Sequence, residues 1–570
     1  MSRPEQSRVR WVPVDKALDR LRAAHSRLKP PLPRITIAGA GIAGLAAAYE
    51  LGSLGYPVEI FEGSGRIGGR IFTHRFDDGT WIERGAMRIP SVHDYTFHYF
   101  DKAGVSGDLF EFINNNPHQR GLFDVDDVQQ TESAFGPWAC DNYELNDEEK
   151  KRFCNAETTG AGLGALIGYY FQPVFKDLDE EDLVALIKAD FSRPKLPKLD
   201  KVSLESELQR QIACGRASTA GVALVGKAAS LSAVSQWSLA ALLRDELHQD
   251  GTARFLGLRG GMSRFPEALA AKLPSNVKVY RETQVIDITR NSSGGGHLVL
   301  RDGNGTRPHR FDHLLCTLPF PVMRKMTLAT FSQPKRAAIQ GLRYAPAAKV
   351  FFHYRERWWE FGEFGGIRGG GRSVSDQDAS TVTLPRQLYY PWDRLSIDAA
   401  TLLDSPVVPE VSVTTADGVD LRGLFQLYAG SGPDLSGIAD AFEGSPKDAP
   451  DPGALLAAYV INQGAEEVRD QTEQQTLHRV QAAVNRLHGS RVPRHAAYDV
   501  WSWDKYEWSQ GALAITPPRD LITHAATARA AEGRVFFAGE HVSIAPGWIQ
   551  GSLESSLRET AALLETIHAD

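Results

Sequence analysis

Hydrophobic and polar positions along the chain alternate in blocks of different period. From Val14 to Lys29, Leu18, Leu21, Ala24 and Leu28 recur at helical spacing among charges, and Pro30, Pro31 and Pro33 then stop the pattern. This predicts an amphipathic helix and a linker. The segment from Ile35 to Arg70 reads as an apolar strand, a glycine turn, an Ala/Leu helix, a break at Gly52 to Gly55, and a second strand ending at Glu62. That order is a βαβ unit. From Asp147 to His248 a 3.6-residue period prevails, as in EEDLVALIKADF, and predicts a helical insertion. Between Val277 and Cys316 the short runs VKVY, QVIDITR, HLVLRD and FDHLLC are separated by SSGGG and GNG, which predicts an antiparallel meander. AAKVFFHYRERWW and RQLYYPWDRL predict further strands, and Leu403 to Pro452 predicts loop with short strands. The C-terminal segment reads as a strand, a loop and a closing helix.

Composition narrows the classes. The 570 residues are 42% hydrophobic and 23% charged, which excludes disorder as the whole answer. Lys+Arg 63 against Asp+Glu 70 leaves a net charge of −7, so no positive field attracts nucleic acid. The four cysteines stand apart without a CxxC pair, which predicts neither a disulfide framework nor a metal site. No apolar leader and no membrane-spanning run is visible, so a soluble, cytoplasmic protein is expected.

Gly39, Gly41 and Gly44 form GxGxxG at a strand-to-helix junction, and Glu62 ends the next strand 23 residues after Gly39. Glycines there permit a tight turn, close approach of a pyrophosphate and close helix packing. The helix N-terminus favours the anion, and a carboxylate at Glu62 can accept from ribose hydroxyls. Just beyond stands the RxGGR run of Arg66, Gly68, Gly69 and Arg70, and far downstream RVFFAGEH spans Arg534 to His541.

On these residues the sequence resembles the flavin-containing amine oxidase superfamily. GAMR (Gly85, Ala86, Met87, Arg88) directs the resemblance to its L-amino acid oxidase branch. The resemblance implies mixed α/β and α+β architecture: a discontinuous Rossmann-like FAD-binding domain of the GR2 type, a mixed-sheet substrate-binding domain and a helical insertion domain. The expected boundaries are 1–33 for the N-terminal helix and linker, and 34–90, 255–335 and 486–570 for the FAD-binding domain. The substrate-binding domain is expected at 91–146 and 336–485, and the helical domain at 147–254.

The resemblance also implies site residues. FAD is expected against Gly39, Gly41, Ala43, Gly44, Glu62, Gly63, Arg66, Gly69, Arg70, Gly85, Ala86, Met87, Arg88, Gly539, Glu540, Trp548 and Ile549, with the adenine at the Val285 backbone. Arg70 and Glu540 would lie by the pyrophosphate, and a helix beginning near Gly551 would point at the pyrimidine edge of the flavin. The last cysteine is Cys316, so the FAD is expected to be non-covalent. Arg88 would pair with the substrate α-carboxylate, and Tyr390 would support it, although one residue of register would exchange Tyr390 with Tyr389. Lys349 would hold a water near flavin N5, Trp548 would form an aromatic wall, and the Gly547 carbonyl would accept from the substrate amine.

The implied activity is oxidative deamination of an L-amino acid by hydride transfer from Cα to flavin N5, with molecular oxygen as acceptor. The products are a 2-oxo acid, ammonia and hydrogen peroxide. A homodimer or higher homo-oligomer, no metal, and neither a membrane nor a nucleic-acid partner complete the expectation; the central acidic residues leave a basic substrate such as arginine or lysine as one reading of an otherwise open side-chain preference. An amino acid 2-monooxygenase, a polyamine or monoamine oxidase, and a redox-inactive flavin-fold binding protein remain as alternatives.

Overall fold

The glycine turn leads into a parallel sheet whose strands come from distant parts of the chain. In the computed structural model the described residues are 11–569, apart from 115, 117–118, 250–253, 369, 377–385, 392–411, 415–419 and 423–450. The sheet has five strands in the order Val277–Tyr280, Val58–Phe61, Ile35–Ala38, His313–Cys316, Val535–Phe537, with every neighbouring pair parallel. Ile35–Ala38 and His313–Cys316 are buried throughout, because helices cover a parallel sheet on both faces. The helix Ile42–Ser53 packs with the C-terminal helix Ile549–Ala569 in one core that includes Leu45, Ala46, Leu553 and Leu557. The amphipathic helix Val14–Ser26 joins the same core through Leu18, Leu21 and Ala24, and Arg20 pairs with Glu565 at 2.7 Å on its outer side.

The expected four-strand meander is half right. Gln284–Arg290, Gly296–Asp302 and Gly305–Phe311 do form an antiparallel sheet. The flanking runs leave it: Val277–Tyr280 and His313–Cys316 belong to the parallel sheet. For His313–Cys316 the physical reason is burial on both faces, which suits a central parallel strand.

A second, seven-stranded sheet carries the other wall of the interior. Its order is Ala497–Ser502, Ala347–Tyr354, Gly453–Ile461, Arg386–Tyr390, Gly371–Ser375, Leu122–Val125, Val128–Thr131. Helices fill the stretch predicted as an insertion, from Asp147–Phe153 and Thr159–Lys176 to Thr219–Ala228 and Leu239–Gln249, around a core of Leu163, Leu166, Leu224 and Leu242. Asn146 and Asp179 start two of these helices with capping boxes. Of the segment from Leu403 to Pro452, the strands Ser412–Thr414 and Asp420–Arg422 pair with each other, and most of the rest lies outside the described residues.

One disulfide stands where the sequence predicts no disulfide framework. Cys140 and Cys154 form a disulfide, with Cα atoms 5.7 Å apart, between the helix Glu132–Asn142 and the end of the helix Asp147–Phe153. A helix-to-helix turn brings the two together, which their spacing in the sequence does not announce. No helix among the described residues is long and apolar enough to cross a membrane, and no acidic, His or Cys cluster among them could hold a metal ion.

The three-stranded sheet of Ile89–Pro90, Phe255–Leu258 and Leu109–Glu111 lies directly after the GAMR segment. Its buried ion pair, Arg254 to Glu111 at 2.7 Å, is nearly dry on both sides, with side-chain exposures of 4% and 6%. Removing one partner strands the other charge in the interior. Glu111→Ala is expected to destabilise the protein by about 3–5 kcal/mol in chemical denaturation, whereas a loss near zero would show that Arg254 is satisfied without it.

Candidate functional site

Both sheets face a cavity of about 400 Å³. At one end its wall is the glycine turn. Gly39 has φ +100°, a left-handed value that favours glycine, and a Cβ on Gly44 would stand 2.1 Å from the Gly39 carbonyl oxygen. Gly44 therefore does not line the cavity; it lets the helix Ile42–Ser53 sit tightly against the turn. A Cβ on Gly41 would meet only the Gly69 Cα, at 4.0 Å, and would otherwise project into open space. That helix has no side-chain cap and no acidic residue in its first turn, so its leading N–H groups are available to an anion. The arrangement fits a pyrophosphate.

Glu62 also lines the cavity. Its carboxylate accepts from the Ala40 N–H at 2.8 Å and from the Ser64 N–H at 2.9 Å, which fixes it at the end of the strand. The second glycine turn is fixed differently. Arg66 donates to the Tyr506 hydroxyl at 3.0 Å and to the carbonyls of Ile67, Gly69 and Ile71, and lies 3.9 Å over the Phe72 ring. It acts first as a staple of the loop. Arg70 donates to Glu540 at 2.5 Å and to the Ala512 carbonyl at 2.9 Å. The other Glu540 oxygen accepts from the Ala514 and Gly547 N–H groups at 3.1 and 2.9 Å. Burial alone would raise the pKa of Glu540, but Arg70 and these donors hold it below the ordinary carboxylate value.

Gly63, Gly69, Gly85, Ala86, Met87, Val285, Gly539, Gly547, Trp548 and Ile549 all border the same cavity, as does Ala43. The C-terminal helix begins at Ile549, two residues before the expected Gly551. Trp548 donates its indole N–H to Asp245 at 2.9 Å and stacks on Phe255 with centroids 6.5 Å apart.

At the far end, one rung of the second sheet faces inward. Lys349 is paired with Tyr459, and Tyr459 with Gln387, on three adjacent strands, and all three line the cavity. Lys349 Nζ donates to the carbonyls of Glu83 and Gly85 at 2.9 and 2.7 Å and approaches Met87 Sδ at 3.5 Å. Burial lowers its pKa to about 7, and burial raises Glu83 to about 7. A neutral amine spends its two hydrogens on the two carbonyls and keeps a lone pair.

Arg88 Nη1 donates to Asn114 Oδ1 and, at 3.3 Å, to the Tyr389 hydroxyl, and the guanidinium is ringed by Phe255, Tyr389 and Phe112 at 5.1 to 5.9 Å. Among the described residues no carboxylate pairs with it. Tyr390 does not reach the cavity: its hydroxyl is within 2.8 Å of Ser373 and of His488 in the core behind the sheet. Side chains alternate across a strand, so the inward face of Arg386–Tyr390 carries Gln387 and Tyr389. The tyrosine beside Arg88 is therefore Tyr389, and the expected register is corrected by one residue.

Sequence reasoning passed over Glu83, Asn114, Asp245, Gln387 and Tyr459. Only Gln387, two residues before a candidate tyrosine on a strand, carried a signal that could have found it. A direct check of the glycine cradle is Gly44→Val: the added side chain collides with backbone, and the purified protein is expected to lose its flavin absorption. Full flavin content in this variant would refute the packing role given to Gly44.

The profile of the flavin containing amine oxidoreductase family matches residues 42–403 and 397–564. A flavin-dependent L-tryptophan oxidase from Lentzea aerocolonigenes is 29% identical over 539 residues, covering 93% of this chain and 98% of that protein. An L-amino-acid oxidase from Mus musculus is 25% identical over 538 residues, covering 92% of this chain and 70% of that protein. Among solved structures, the cyclohexylamine oxidase from Brevibacterium oxydans IH-35A matches with a TM-score of 0.64 at 17% identity, over 94% of this chain and 100% of that one. Since the family profile extends from the helix of the glycine turn to the C-terminal helix and the fold matches over nearly the whole length, this chain belongs to the flavin-containing amine oxidoreductase family.

Proposed function

We propose that the chain is an FAD-dependent L-amino acid oxidase, converting an L-amino acid, oxygen and water into a 2-oxo acid, ammonia and hydrogen peroxide. The observation that carries this reading is Arg88: a cation inside an aromatic ring of residues, held by neutral partners and with no carboxylate paired to it among the described residues, calls for an anionic ligand. An amine without a carboxylate would leave it unanswered.

FAD is supported by the fit of the cavity, with Gly41 and the helix Ile42–Ser53 at the pyrophosphate, Glu62 at the ribose, and the Arg70–Glu540 pair in the lining of the same cavity. Bound there, the flavin supplies a two-electron sink for the Cα–H and passes those electrons to oxygen. Non-covalent attachment is supported by the free cysteines. Cys214 is exposed on the helical segment, and Cys316 is buried outside the cavity, its thiol pushed up to about 12 by burial.

The remaining steps belong to side chains of this chain. Arg88 binds the carboxylate and Tyr389 steadies Arg88, which orients the Cα–H. Trp548 and Tyr459 exclude water, and neutral Lys349 can hold or accept a proton. The helical segment contributes Ala233, Val234, Trp237 and Ala241 to the lining, and its acidic residue Asp245 accepts from Trp548. This supports a large apolar or aromatic side chain more than a basic one, in line with the tryptophan oxidase among the relatives.

Two measurements follow. Arg88→Ala is expected to lower kcat/KM on amino acids by about 2–4 kcal/mol in transition-state stabilisation with flavin still bound, and unchanged kinetics would remove Arg88 from the site. Because the folded pKa of Lys349 is depressed to about 7, the neutral amine prevails above that pH and the protonated form below it. The rate of flavin reduction should therefore rise with pH through about 7 and lose that limb, with a drop of about 10²-fold, in Lys349→Met. A limb that survives the substitution would assign it to another group, with Glu83 the nearest candidate.

A further inference from the structure

Tyr389 has one hydroxyl hydrogen, and in this structure it is already committed. The hydroxyl donates to Gln387 Oε1 at 2.7 Å, while Arg88 Nη1 donates to the hydroxyl oxygen at 3.3 Å. The Gln387 amide in turn donates through Nε2 to Ser230 Oγ at 3.1 Å. Ser230 is buried, has φ +59°, and opens the short helix Leu231–Val234, whose Ala233 and Val234 line the cavity. The carbonyl of Ala233 is held by the Asn462 side chain at 2.6 Å, which fastens this helix to the second sheet. A continuous hydrogen-bonded chain thus runs from the helical segment through Ser230, Gln387 and Tyr389 to Arg88.

Each middle member of this chain is reversible. A serine hydroxyl and a phenol both donate and accept, and an amide presents donors on one side and an acceptor on the other. Turning the Gln387 amide by about 180° keeps both of its hydrogen bonds with opposite polarity. Ser230 then donates to the amide oxygen, the amide nitrogen donates to the Tyr389 oxygen, and the phenol hydrogen is released toward the cavity. No proton leaves its heavy atom.

We propose that Gln387 is a positioning residue whose amide reverses when a carboxylate reaches Arg88, turning Tyr389 from an acceptor facing Arg88 into a donor to the ligand. The inference rests on the carboxylate-binding reading of Arg88 and adds that the helical segment, through Ser230, takes part in carboxylate recognition. In the resting polarity Tyr389 offers the incoming anion only lone pairs. In the reversed polarity it offers a hydrogen, so the strength of carboxylate binding depends on the amide being free to turn.

The test uses benzoate as the carboxylate probe, titrated into the oxidised flavin-loaded protein and followed by the flavin absorption. Gln387→Glu, which only accepts when ionised, locks the resting polarity and is expected to weaken benzoate by about tenfold or more at neutral to alkaline pH. The loss should disappear as the pH falls toward about 5, where the introduced carboxyl regains a donor. Gln387→Leu leaves the phenol hydrogen uncommitted and should bind benzoate within about threefold of the unsubstituted protein, although it is chemically the more drastic change.

Equal affinities in Gln387→Glu and the unsubstituted protein overturn the relay. So does a Gln387→Glu deficit that persists undiminished in a Tyr389→Phe background, because direct charge repulsion would then account for it. A flavin-loaded protein that neither binds benzoate nor is reduced by any L-amino acid overturns the carboxylate reading itself, and the relay with it.

Discussion

The ion pair between Arg70 and Glu540 spans a sequence separation of 470 residues, and the geometry of the cavity depends on it. Arg70 stands in the second glycine turn, close after the βαβ unit, and Glu540 follows the last strand of the parallel sheet. Neither segment could hold its position by local propensity alone, since both are loops rich in glycine. Glu540 also takes the Ala514 and Gly547 N–H groups, so one carboxylate organises three segments around the cavity. A buried charge of this kind is tolerable only when it is fully hydrogen-bonded, and that requirement fixes where the loops run.

Around Arg88 and Lys349 the opposite situation governs. Arg88 is placed next to neutral and aromatic partners, with no counter-charge among the described residues, while Lys349 in the same cavity is pushed toward neutrality by burial. The contrast between a permanent cation and a tunable amine suits a site that must grip an anion and also accommodate a change in protonation. The helical segment lines the same cavity through Trp237, Val234 and Asp245, so the inserted helices shape the cavity as well as the fold.

Much of this was legible in the residues. GxGxxG with Glu62, the RxGGR run and the Gly-Glu of RVFFAGEH single out segments that line one cavity because their chemistry is local, carried by glycines and charges at short spacing. The helical insertion was legible from its period. The register of LYYPWD was not, because two adjacent tyrosines give no period by which to choose, and the pairing of Arg386–Tyr390 with its neighbours decides that Tyr389 faces inward. VKVY and HLLC look like meander strands because alternation does not reveal which sheet a strand joins. The disulfide of Cys140 with Cys154 and the partnership of Asn114 with Arg88 depend on loops whose course no pattern of residues specifies.

The most direct measurement is the yield of peroxide and 2-oxo acid when the purified flavoprotein is incubated with a panel of L-amino acids, their D-enantiomers and the corresponding decarboxylated amines. Equal amounts of peroxide and oxo acid from large apolar L-amino acids, with no turnover of the amines, is the result this account predicts. Turnover of the amines at rates matching the amino acids would contradict it, because a site built around an unanswered arginine should require the carboxylate.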